Sequence, residues 1–154
     1  MRDGDPSMRP GGMDRRTRVR NLEGSAVLEG KTVWVVEPEH FSAYALERRL
    51  RDMRADRVVL VHDAREARAR LVLGDTPTIA IVDCAERPMG GRDLAADLRR
   101  RDVAVVCTVD ERGTGLNGTG RHDGLDCPTT YDVPKPYAMI DVERAIARHY
   151  GLTI

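Results

Sequence analysis

Several apolar runs in this sequence end on side chains that can do chemistry. "VWVV" ends in Glu37, with Glu39 and His40 just beyond, and "IAIV" ends in Asp83. "VAVVC" runs into Thr108, and "TTYDV" is followed by Lys135 between two prolines. A carboxylate at a strand end can attack phosphorus as a nucleophile. A second carboxylate beside it helps hold Mg2+, which takes one or two protein carboxylates together with phosphate oxygens. A hydroxyl and an ammonium can then bind the remaining phosphoryl oxygens. Phosphorylation of a hydroxyl side chain adds roughly −1.5 to −2 charges. An acyl phosphate brings a comparable load, which a metal and a lysine would neutralise.

Each residue also has a plainer reading. An Asp at a strand end is commonly a turn residue or a helix cap, and Thr is common in strands. Lys135 reads equally as a solvated loop lysine. Glu37 and Glu39 fit the start of a helix, where acids complement the dipole. His40 reads as helix surface, and His62, Asp63, His122 and Asp123 as strand-end and loop residues. The functional reading needs a fold that brings the strand ends together.

The elements supply one. From Lys31 onward, strand patterns alternate with helix patterns. "KTVWVVE" precedes "EHFSAYALERRLRDM", in which Phe41, Tyr44, Ala45, Leu46 and Leu50 fall near helical spacing. "RVVLVHD" precedes "AREARARLVL", closed by Gly74, and "TPTIAIVD" precedes "GRDLAADLRRR". "VAVVCTV" and a short "TTYDV" are followed by "YAMIDVERAIARHY", ended by Gly151. Continuous apolar strands are buried on both faces, which implies a parallel sheet with helices on each side. Five short units in about 120 residues fit a flavodoxin-like doubly wound sheet of order 2-1-3-4-5. In such a sheet ligands bind outside the carboxyl ends of the strands. Strands one, three, four and five are then neighbours, so Glu37, Asp83, Thr108 and Lys135 converge on one edge.

One unit departs from the pattern. "DERGTGLNGTGRHDGLDCP" stands where a fourth helix is expected. Its glycines, at roughly 1 kcal/mol each relative to Ala, oppose a regular helix, so the expectation is a short helix or a loop. Residues 113–118 of it match G-x-G-x-x-G, but a dinucleotide fingerprint follows the first strand and opens a helix. A nucleotide-binding enzyme is therefore the least supported reading. The chain is expected not to be an enzyme.

The bulk properties exclude other classes. The 154 residues suffice for one domain with a core. Charged residues are 32% and aromatics 4%, so the core is aliphatic. The formal net charge is zero, which gives no general attraction to nucleic acid. No apolar stretch is long enough to span a bilayer, and no signal segment opens the sequence. Cys84, Cys107 and Cys127 lack metal-ligand spacing and read as reduced thiols, so the expected location is cytoplasmic. Residues 1–29 read as a flexible arm, with the domain at 30–152.

The ordered set "VWVVEPEH", "IAIVD", "VVCTVDE" and "VPKPY" resembles the receiver domain of two-component response regulators, over about residues 30–150. The resemblance implies that Asp83 accepts a phosphoryl group from a histidine kinase or phosphotransfer protein. It implies Mg2+ held by Glu37 and Asp83, with Glu39 and the Ala85 backbone as further candidates. Thr108 would follow the phosphoryl group, and Lys135 would bind it across a cis Lys135–Pro136 bond. Neither nucleic acid nor membrane is implied as a partner, and a homodimer is left open.

Three features depart from the family pattern. Pro38 stands where a second acid usually ligates Mg2+ directly, which predicts weak metal binding. Tyr131 sits one residue early for the family's switch aromatic. The glycine-rich segment replaces a helix that often carries output. Arg87 reads as a solvated arginine or a built-in countercharge. Two readings follow: a stand-alone phosphoacceptor, or a degenerate receiver acting as a phosphorylation-independent interaction module.

Overall fold

Alternating side-chain direction along five short strands builds the two faces of this protein. The computed structural model describes residues 25–84, 90–110, 130–152 and 154. In chain order the elements are β1 (Thr32–Val36), α1 (His40–Asp52), β2 (Arg57–Val61), α2 (Ala64–Val72), β3 (Ile79–Asp83) and α3 (Gly91–Arg99). They continue with β4 (Ala104–Asp110), β5 (Thr130–Lys135) and α4 (Met139–His149). The strands form one parallel sheet in the order β2-β1-β3-β4-β5. This is the flavodoxin-like arrangement expected from the strand pattern.

Successive strand residues point to opposite faces, and both faces are covered. Val33, Val35, Ile79, Ile81, Ala104, Val106 and Val133 pack with Leu46 and Leu50 of α1 and Val142 and Ile146 of α4. Trp34, Val36, Ala80, Val82, Val105 and Cys107 pack on the other face with Ala67 and Leu71 of α2 and Leu94 and Leu98 of α3. Arg49 of α1 pairs with the buried Glu143 of α4, which fastens these two helices together.

Three expectations change. The domain does not begin at Gly30: Leu28 is fully buried in the layer under α1 and α4, with Val27 against it. Its burial depends on tertiary packing that no local periodicity announces. On α1 the buried stripe is Ala43, Leu46 and Leu50, whereas Phe41 and Tyr44 are 86% and 62% exposed. Lys135 ends a strand and does not lie in the loop after it, because β5 runs on through Pro134. The rest of the expected arm (1–24) and most of the glycine-rich segment (111–129) lie outside the described residues, as do Ala85, Arg87 and Cys127.

Candidate functional site

Register places the expected site residues. On the face covered by α1 and α4, Val35, Ile81, Val106 and Tyr131 form one row across β1, β3, β4 and β5. Two residues further on, Asp83, Thr108 and Val133 form the next row toward the carboxyl edge, and Glu37 directly follows the end of β1. Lys135 follows Val133 by two on the same strand. Strand period and parallel register thus bring two carboxylates, a hydroxyl and an ammonium to one edge, on one face.

The side chains meet there. Lys135 Nζ lies 3.1 Å from Asp83 Oδ1 and 3.6 Å from Glu37 Oε2. The Lys135–Pro136 peptide bond is cis. Glu37 is only 6% exposed. Burial pushes its carboxyl above the usual range, although the Glu39 backbone N–H and the Lys135 ammonium pull against that, and the Asp83 charge adds to it. The Glu39 N–H donates to Glu37 Oε1 at 3.0 Å. Thr108 is 1% exposed, and its Oγ1 has no hydrogen-bond partner among the described residues. Its neighbour, the Thr108 carbonyl, accepts from Cys84 N at 2.8 Å, tying β4 to the end of β3.

Asp83 is positioned from behind by α3. A Cβ built on Gly91 falls 2.1 Å from the Asp83 carbonyl oxygen. The start of α3 therefore rests on the backbone of Asp83, at a distance only glycine allows. Beside Asp83 a small open recess is lined by Val36, Pro38, His62, Asp63, Ala64 and Gly91. The His62 ring stacks with that of His40 at the first residue of α1, with centroids 6.1 Å apart.

Glu39 is not brought into this set. Its Oε1 accepts from Phe41 N at 2.9 Å and its Oε2 from Ser42 N at 2.7 Å. These bonds cap α1, and the Ser42 side chain first, then the Phe41 and Ser42 N–H groups, hold the Glu39 carboxyl below the usual range. Glu39, a further candidate for the metal, is here engaged as a helix cap, where its acid satisfies two of the orphan donors at the helix start. The Ala85 backbone, the other further candidate, lies outside the described residues.

Tyr131 packs against the α1/α4 layer, with the His149 ring edge-on at 6.0 Å. Its neighbour Asp132 points to the opposite face, where its charge acts on Cys84. The early placement of the aromatic thus leaves an acid on the other side of the sheet. Cys84 and Cys107 are buried, and the Cys84 thiol is pushed far up by its hydrogen bond to Cys107 and by burial. Such thiols are poor nucleophiles. Sequence reasoning missed Tyr137. It follows the cis bond, its hydroxyl is buried without a partner among the described residues, and the charges of Glu37 and Asp83 act on it.

Among the described residues no group of three or more His, Cys, Asp or Glu side chains could hold a metal. Glu37 and Asp83 are nevertheless the one or two carboxylates that Mg2+ takes when phosphate oxygens and water complete its sphere. The donor set fits a shared metal of that kind, not one closed by protein ligands. Bound there, Mg2+ would neutralise phosphoryl charge.

No family model and no curated protein matches the chain. Solved structures match it in fold. The receiver domain of the PhyR response regulator from Erythrobacter litoralis is 20% identical, with a TM-score of 0.63 over 81% of this chain and 93% of that one. A response regulator receiver protein from Sinorhizobium medicae is 18% identical, with a TM-score of 0.58 over 78% and 94%. The fluoroberyllate-activated receiver domain of Nitrogen Regulatory Protein C is 20% identical, with a TM-score of 0.55 over 80% and 96%. This chain has the receiver fold. Among the described residues no helix is long and apolar enough to cross a membrane.

Proposed function

We propose that this protein is a receiver that accepts a phosphoryl group on Asp83 from a histidine kinase or phosphotransfer protein. The observation that carries the reading is Lys135, with its ammonium 3.1 Å from Asp83 and 3.6 Å from Glu37 at the carboxyl edge of the sheet. In the transfer, an Asp83 carboxylate oxygen bonds to phosphorus as the bond to the donor imidazole nitrogen breaks, and that nitrogen keeps the electron pair. Lys135 and the unpartnered Thr108 hydroxyl hold the phosphoryl oxygens. Glu37 and Asp83 would hold Mg2+, weakly, because Pro38 adds no carboxylate and Glu39 is committed to its helix. The chain is a substrate of its donor and not itself an enzyme.

One observation favours a second reading. With Pro38 in place and both Glu39 oxygens bonded to α1, the metal has few ligands, as in a degenerate receiver that signals by binding alone. Labelling with a small acyl phosphate and Mg2+, read by intact mass, separates the two. Wild type gains one phosphoryl mass that Asp83→Asn lacks on the first reading. An unmodified wild type together with a labelled Pro38→Asp supports the second.

A further inference from the structure

The sheet ends on two unlike edges. β5 carries Pro134, and proline is one of the devices that stop an edge strand from pairing further. β2, at the other edge, reads Arg57-Val58-Val59-Leu60-Val61, with no proline and no charge after its first residue. Val58, Val59 and Leu60 are half-buried. In the parallel register with β1, Arg57 N–H donates to Lys31 O and Val61 O accepts from Glu37 N. Strand alternation then turns the backbone groups of Val59 toward β1 as well, and those of Val58 and Leu60 outward. No strand among the described residues takes them. The open stretch stops there on both sides. The Asp56 N–H donates to Lys31 O at 3.1 Å, and the His62 N–H to Glu66 Oε2 at 3.0 Å.

Two outward-facing residues with one between them are complementary to their own copy turned about a two-fold axis. Antiparallel pairing sets Val58 against the partner's Leu60 and Leu60 against the partner's Val58, and each pair exchanges both backbone bonds. Val59 then faces the partner's Val59 across the axis. The ends match in charge. Asp56 falls opposite the partner's His62, and Arg57 lies diagonal to the partner's Asp63, within reach of a long side chain. Asp56 and Arg57 are exposed and make no ion pair among the described residues. Apolar surface continues beside the strand. His40 stacks on His62, which sets one flank of α1 over the end of β2. Tyr44 stands one turn along that flank and is 62% exposed. We propose that a second copy of this chain pairs antiparallel with the outer edge of β2, joining the two sheets into one through Val58, Val59 and Leu60. The pairing uses neither Asp83 nor Lys135 and does not depend on the phosphoacceptor reading.

Sedimentation of the full chain over a series of concentrations tests it. Wild type is expected to dimerise with a micromolar Kd. Val58→Pro deletes an outward N–H and no bond to β1, and Val59→Lys sets like charges together at the axis. Each should weaken the dimer about tenfold or more. Val59→Cys reads the register. Cα atoms opposed in such a pair lie about 4.5 Å apart, within disulfide range, so diamide should link two copies through residue 59, as mapped by peptide mass. Val58→Cys, set opposite Leu60, should give no link through residue 58. A wild type that stays monomeric well above the micromolar range overturns the proposal. So does a dimer that Val58→Pro and Val59→Lys keep at full strength while folded by circular dichroism. Where either of these fails to fold, Val59→Cys decides: a link through residue 59 supports the pairing, and its absence overturns it.

Discussion

Replacing Lys135 with Met removes one positive charge from between two buried negative ones. The Glu37 side chain is 4% exposed and that of Asp83 8%, while the lysine is 30% exposed. Removing one partner of a fully buried pair costs about 3–5 kcal/mol. Partial exposure of the ammonium means solvent already screens part of the interaction, so about 2 kcal/mol is the expected loss at neutral pH. For a domain of this size that is a fall of about 6–8 °C in melting temperature. The pH dependence carries the sharper test. The folded carboxyl of Glu37 already lies above its ordinary value of 4.5. The native state therefore holds this proton more tightly than the unfolded chain. The stability this contributes is full below 4.5 and is lost as pH rises through the folded value. Lys135 is among the causes pulling that value down, so its removal raises it further. The variant should approach wild-type stability in mild acid, where a protonated Glu37 needs no countercharge, and diverge as pH rises. Urea titrations at a series of pH values measure this. A variant as stable as wild type at neutral pH, or a deficit independent of pH, would refute the ion bridge.

Three further substitutions probe the neighbours of that bridge. Glu39→Ala removes the cap of α1 and should lower the melting temperature while leaving the Mg2+ requirement for labelling unchanged; a changed requirement would return Glu39 to the pocket. Because donors hold its carboxyl below the usual range, its contribution is present above 4.5 and lost as pH falls through the folded value. Thr108→Val removes a buried hydroxyl with no partner among the described residues, so urea stability should hold or rise by about 1 kcal/mol while fluoroberyllate affinity falls. A stability loss of that size would reveal a structural partner. Gly91→Ala forces a Cβ against the Asp83 carbonyl and should cost about 1–3 kcal/mol of overpacking together with labelling efficiency; a variant equal to wild type in both would show that α3 does not press on Asp83.

The sheet was legible in the sequence because strands buried on both faces are continuous apolar runs, and this chain keeps them short and well separated. The same runs located Glu37, Asp83 and Thr108, since each is the first polar residue after its run. Lys135 was found by motif but misplaced in structure. Pro-Lys-Pro reads as a loop, yet β5 is an edge strand, where a proline costs no ladder bond. Phe41 and Tyr44 misled because the first helix pattern allows two phases, and only packing against the sheet selects Ala43, Leu46 and Leu50. Leu28 carries no periodic neighbours, so its burial is a tertiary fact. Glu39 was ambiguous in principle: a metal ligand and a helix cap both call for an acid there. Tyr137 was quoted within a motif, but a buried, unpartnered hydroxyl shows only in three dimensions.

The loop after β1 shows how the fold accommodates a proline at residue 38, and where the proposed metal site would feel it. Pro38 directly precedes the capping residue of α1, where its missing N–H withdraws nothing from the helix. The next N–H, that of Glu39, folds back onto Glu37 Oε1, and the Glu39 carboxylate takes the N–H groups of Phe41 and Ser42. Two acids therefore build the turn that lets β1 enter α1. What remains toward the pocket is Glu37 Oε2, and Lys135 already lies 3.6 Å from it. On the proposed reading, a metal arriving here would compete with the lysine for one oxygen, whereas Asp83 would stay in place as nucleophile. The defect should thus appear in the concentration of Mg2+ required and not in the final extent of labelling. Pro38→Asp adds a carboxylate without disturbing either cap bond, and is expected to lower the Mg2+ concentration for half-maximal labelling by about tenfold while the plateau stays the same. A Pro38→Asp protein with an unchanged Mg2+ midpoint would mean that the turn, not the missing carboxylate, limits the metal.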